Sequence, residues 1–118
     1  MENKTYDGAC HCGKIRYRVT TDLAHVMQCN CSICSKRGYL LTFVTPEQFK
    51  QLSGQDSVRD YQFNKHIIHH YFCTTCGVGS YAQGAAQDGK KMYAINVRCL
   101  DDVDPSTLNI TQFDGKKL

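Results

Sequence analysis

The stretch CNCSICSKRG, residues 29–38, places Cys29, Cys31 and Cys34 within six residues of one another. Two closer pairs flank it in the chain: Cys10 and Cys12 near the start, and Cys73 and Cys76 in the second half, with Cys99 standing alone. Neighbours this close seldom pair as disulfides, but they chelate one ion well, and thiolate sulfur is a preferred ligand of zinc. The chain has 118 residues, eight of them cysteine, and its opening MENKTYDG has no apolar stretch of signal-peptide length. Clustered cysteines in a chain that is not exported point to metal binding rather than a disulfide framework.

Residues i and i+2 of an extended segment point the same way, so Cys10 and Cys12 can present both sulfurs to one ion. Cys73-x-x-Cys76-Gly77 has the spacing of a zinc knuckle, and the glycine permits the left-handed backbone that turns amides back toward sulfur. Two and two make a closed, structural four-thiolate site on Cys10, Cys12, Cys73 and Cys76. The cluster Cys29, Cys31 and Cys34 is one ligand short. Cys99 would close it by simple counting. If YAINVRC (93–99) is extended, however, Cys99 lies on the face of Tyr93, Ile95 and Val97, where a lone cysteine acts as a small buried hydrophobe. That favours an open three-cysteine site. His11, His25, His66, His69 and His70 are alternative fourth donors, although His69 and His70 lie on opposite faces of one strand. The C-x-C-x-x-C run does not match the common ferredoxin patterns for iron–sulfur clusters.

The elements that must position these residues are mostly strands. KIRYRVT (14–20) alternates strictly, with Ile15, Tyr17 and Val19 on one face. GYLLTFV (38–44), SVRDYQF (57–63), HIIHHYFC (66–73), KKMYAINVRC (90–99) and NITQFD (109–114) also read as strands. Asn64-Lys65 and AAQDGKK supply turns. TPEQFKQLSG (45–54) predicts a helix, with Thr45 as N-cap, Pro46 at N1, Gln48 closing a capping box, Gly54 as stop, and Phe49 and Leu52 facing the core. DPSTL (104–108) predicts one helical turn.

Length suits one domain spanning residues 1–118. The longest apolar run, YLLTFV, falls far short of the roughly 18–20 residues of a membrane span, so a cytoplasmic protein is expected. The formal charge is +3. Seven metal-bound thiolates and two zinc ions would cancel it, which leaves no electrostatic case for a nucleic-acid partner.

Taken together, GACHCGKIRY, CNCSICSKRG, HYFCTTCGV and INVRCLDDVD resemble the glutathione-dependent formaldehyde-activating (Gfa) family, whose domain also occurs in centromere protein V. The resemblance runs through nearly the whole chain. It implies a mainly β, Gfa-type (Mss-four-like) fold of short antiparallel strands. It implies two zinc ions per chain, a structural one on Cys10, Cys12, Cys73 and Cys76 and a catalytic, substrate-binding one on Cys29, Cys31 and Cys34. The implied activity is that of a carbon–sulfur lyase acting on glutathione, or a related small thiol, and formaldehyde. Lys36, Arg37 and Arg98 could neutralise the carboxylates of the tripeptide. Two other function classes fit the same residues. One is a non-catalytic glutathione carrier or binding module, since thiols add to formaldehyde unaided. The other is a redox enzyme using Cys99 as nucleophile, similar to methionine-R-sulfoxide reductases. The chain's lack of tryptophan counts against the last.

Overall fold

The alternation of residues 14–20 is realised in strand β2 (Arg16–Thr21), whose Tyr17 and Val19 are fully buried while Arg16 and Arg18 face solvent. In a computed structural model that describes residues 2–63, 68–86 and 88–115, β2 is the middle strand of a small antiparallel sheet. Its neighbours are β1 (Lys4–Ala9) and β5 (Phe49–Ser53). Asp7 lies opposite Arg18 in the β1–β2 register, and their side chains pair at 2.9 Å on the exposed face. Such a surface pair contributes little to stability.

Among the described residues the other strands form one larger sheet. In chain order they are β3 (Val26–Cys29), β4 (Leu41–Val44), β6 (Val58–Tyr61), β7 (His69–Cys73), β8 (Tyr81–Ala85), β9 (Lys91–Asn96) and β10 (Ile110–Phe113). Across the sheet the order is β10-β3-β4-β9-β8-β7-β6, antiparallel except for the parallel β10–β3 pair at one edge. Because strand side chains alternate, β8 and β9 serve two faces. Tyr81 and Ile95 enter the main core with Ile15, Tyr17, Val19, Val26 and Val44. Ala82 and Ala94 pack on the opposite face, with Cys29, Cys34, Tyr39 and Leu41. No helix of the described residues is long and apolar enough to cross a membrane.

Residues 45–54 depart from the expected helix. The capping interactions do form: the Thr45 N–H donates to Gln48 Oε1 at 2.9 Å, and the Gln48 N–H donates to the Thr45 carbonyl at 3.0 Å. They close a single 3-10 turn, Pro46–Gln48, after which the chain becomes β5. Pairing with β2 and aromatic packing outweigh the local preference. Phe49 stacks on Tyr93 at 4.4 Å and lies 5.5 Å from Tyr17. Residues three apart point to opposite sides of a strand, so Leu52 is exposed instead of facing the core.

The expected strand 90–99 is also shorter. It ends at Asn96, whose side-chain oxygen accepts the Arg98 N–H at 3.2 Å and starts a 3-10 turn over Val97–Cys99. Cys99 therefore does not lie on the strand face with Tyr93 and Ile95. A 3-10 turn does form at Pro105–Thr107, capped by Asp104. The Asn64-Lys65 turn, His66 and the last three residues lie outside the described residues.

Two candidate metal centres

Cys10 follows β1 and Cys73 ends β7, two segments that the fold brings together across the main core. The four sulfurs of Cys10, Cys12, Cys73 and Cys76 all lie within 4.8 Å of one another. Cys10 and Cys12 Sγ are 3.6 Å apart, and Cys12 and Cys73 Sγ 3.7 Å. A tetrahedron with metal–sulfur bonds of about 2.3 Å has edges of roughly 3.8 Å. A disulfide would need about 2.05 Å, so the spacing suits four thiolates around one ion. All eight cysteines are free.

Backbone amides complete this arrangement. The Ile15 N–H donates to Cys10 Sγ and the Thr75 N–H to Cys73 Sγ, each at 3.4 Å. Gly77 has the expected left-handed backbone, φ 80°, and its N–H donates to the Cys73 carbonyl at 2.9 Å. Burial opposes ionisation of Cys76, but the amides of Val78 and Cys12 and the neighbouring sulfurs outweigh it and lower its thiol to about 6. Donors aimed at sulfur favour the thiolate, the form that binds metal.

Cys29 ends β3, and the chain then turns into α1 (Ser32–Arg37). Cys31 is the N-cap of α1. Its sulfur accepts the Cys34 N–H at 3.4 Å, while Cys29 Sγ accepts the Cys31 N–H at 3.4 Å. The sulfurs of Cys29, Cys31 and Cys34 also lie within 4.8 Å of one another. Burial raises the Cys34 thiol. It also opposes ionisation of Cys31, but there the Cys34 amide and the two partner sulfurs prevail and the thiol is lowered. Gly115 passes so close that a Cβ there would collide with Cys29 Sγ, so the segment after β10 packs directly over the cluster.

Among the described residues, no fourth His, Cys, Asp or Glu joins this trio, and Cys99 belongs to neither cluster. Nor do His11, His25, His69 or His70. His69 is engaged by Asp60 at 2.5 Å, and the buried His70 stacks on Phe63 at 5.4 Å. Burial raises the half-buried Cys99 thiol, and this outweighs the lowering effect of Ser80.

The three basic residues flank the same helix. Lys36 and Arg37 form its last turn and line a cavity of about 500 Å³ with Ser32, Ile33, Tyr61 and Phe72. Arg37 donates to Tyr39 Oη at 2.5 Å, and its guanidinium lies 5.7 Å from the centre of the Phe72 ring. Arg98 is exposed and donates to the Gly38 carbonyl at 3.3 Å, just past the helix. The sequence gives no sign of α1, which is too short to show a period, or of the aromatic wall of Tyr61 and Phe72, which β6 and β7 bring from far along the chain.

A family model described as glutathione-dependent formaldehyde-activating enzyme matches residues 5–113. A crystal structure of a Rhodobacter sphaeroides protein is similar over 91% of this chain and 99% of that one, with a TM-score of 0.81 and 28% sequence identity.

Proposed function

The chain belongs to the glutathione-dependent formaldehyde-activating enzyme family, and from that premise we propose that it is a zinc-dependent carbon–sulfur lyase that forms or cleaves the adduct of glutathione, or a related small thiol, with formaldehyde. The observation that carries this reading is the unequal pair of cysteine clusters: four convergent sulfurs in one, three in the other. Four thiolates complete a structural zinc site on Cys10, Cys12, Cys73 and Cys76. Three on Cys29, Cys31 and Cys34 leave a place for an exogenous thiol. Zinc bound there would supply an affinity for sulfur that favours the thiolate form of that thiol.

The chain's own residues do the rest. Lys36 presents a cation beside the cluster to an anionic tripeptide. Arg37 is held by Tyr39 and Phe72, which fixes the cavity wall and leaves a charge facing the same space. Arg98 adds a third cation at the end of the helix. The amides of Cys31 and Cys34 stabilise sulfur as thiolate. Leu41, Ala82 and Ala94 pack against the cluster. The raised Cys99 thiol gives little support to a redox nucleophile. We place the protein in the cytoplasm, where reducing conditions keep such thiols free.

X-ray absorption on the zinc-loaded protein tests this reading. A mixed sulfur and light-atom shell should become all sulfur, at about 2.3 Å, when glutathione is added. The holo protein should also speed glutathione–formaldehyde exchange above the background rate. Glutathione bound without acceleration would instead mark a carrier.

A further inference from the structure

The large sheet has a groove of about 820 Å³ on the face turned away from the main core. Its floor is made of small residues, Ala82 and Gly84 from β8 and Ala94 from β9. Its walls are large and apolar: Phe43, Ile68 and Phe113 are 47%, 49% and 40% exposed. Such a volume is within the usual range of small-molecule sites, and formaldehyde would fill only a small part of it.

The groove borders the three-cysteine cluster through its floor. Ala82 and Ala94 pack in one group with Cys29 and Cys34, and Phe113 lies opposite Cys29 in the β10–β3 register. Phe63 lines both this groove and the basic cavity beside α1. The apolar and cationic compartments thus meet at one side chain. A polar group is also left over. His70 lines the groove at 6% exposure, and its Nδ1 is buried without a hydrogen-bond partner among the described residues. A buried polar atom with no partner is costly, which marks His70 as the polar residue of the groove's lining with hydrogen-bonding capacity to spare.

We propose that this groove receives the alkyl chain of an aliphatic aldehyde, so that the site handles adducts of its thiol with apolar aldehydes much larger than formaldehyde. The inference rests on the thiol-binding reading of the cluster. In the step, the thiol sulfur adds to the carbonyl carbon and one carbon–sulfur bond forms. The carbonyl π pair moves onto oxygen, and the proton given up by the thiol ends on that oxygen. Nothing is oxidised or reduced. The cationic compartment holds the tripeptide, and the apolar one, with His70 in its lining, holds the chain.

Calorimetric titration of the zinc-loaded protein with S-methylglutathione and S-hexylglutathione tests the groove apart from catalysis. The hexyl compound should bind about tenfold more tightly or better, because five additional methylenes leave water. Ala94→Leu, which fills the floor, should abolish that preference. Equal affinities in the unaltered protein overturn the proposal. A second measurement needs neither thiol nor variant: hexan-1-ol alone should shift the His70 ring resonances. If glutathione itself fails to bind, the thiol reading falls, and the hexan-1-ol shift still decides the groove. No shift, together with sedimentation as a dimer, would assign this face to a second copy of the chain and overturn the proposal.

Discussion

At the scale of single residues, cysteines of the same chemistry carry different burdens. Cys73 is buried at the heart of the four-sulfur cluster, so Cys73→Ser should prevent stable folding, since a structural zinc supplies on the order of 10 kcal/mol of apparent folding free energy. Cys31→Ser should leave a folded domain that no longer binds glutathione. Circular dichroism and titration on the two variants check this division, and equal damage to both would refute it. Cys99→Ala should retain the full metal content with only a modest loss of stability, about 1 kcal/mol. Metal analysis of that variant distinguishes a packing thiol from a ligand. His70 gives a pH signature. Burial, and then the nearby Arg37, lower its pKa below the ordinary 6.5. The unfolded chain therefore binds the extra proton first, and stability falls as the pH drops below 6.5 toward the folded value. His70→Gln should flatten the slope of stability just below that pH, measured by urea denaturation at saturating zinc.

At the scale of elements, β9 sits between β4 and β8, and its Ile95 is fully buried. Ile95→Ala should cost about 2–5 kcal/mol. Leu52→Ala, on the exposed side of β5, should change stability by less than about 0.5 kcal/mol. A large loss at Leu52 in denaturant melts would restore the helix that the sequence predicts there. That contrast shows what the sequence could and could not tell. The period of β2 was legible because one face is buried and the other wet. The capping residues of 45–48 were legible too, and they do cap, but nothing local says that the following residues will find β2 as a partner. The strand at 90–96 was legible in its alternation, while its end depends on one Asn96 hydrogen bond that no period reveals. Both sulfur clusters were legible as spacing. The groove was not, since its floor and walls come from six strands and the segments next to them.

At the scale of the whole molecule, the two proposed zinc ions should differ in lability. Mild chelation should remove one equivalent while the far-ultraviolet spectrum persists, and loss of both together with unfolding would mean two structural sites. The sequence separation of the ligands suggests a further asymmetry, this one in time. Cys29, Cys31 and Cys34 are neighbours in the chain, so this trio can capture an ion as soon as a short segment has left the ribosome. Cys12 and Cys73 are 61 positions apart, and the first pair must wait, half-liganded, until the second has been synthesised and the intervening loop has closed. On the proposed loading, the ion expected to be easiest to lose from the finished protein is therefore the first that the nascent chain can acquire. During that wait Cys10 and Cys12 are the thiols most open to oxidation. Zinc scarcity during synthesis would thus injure the proposed staple, whereas zinc scarcity afterwards would empty the proposed substrate site.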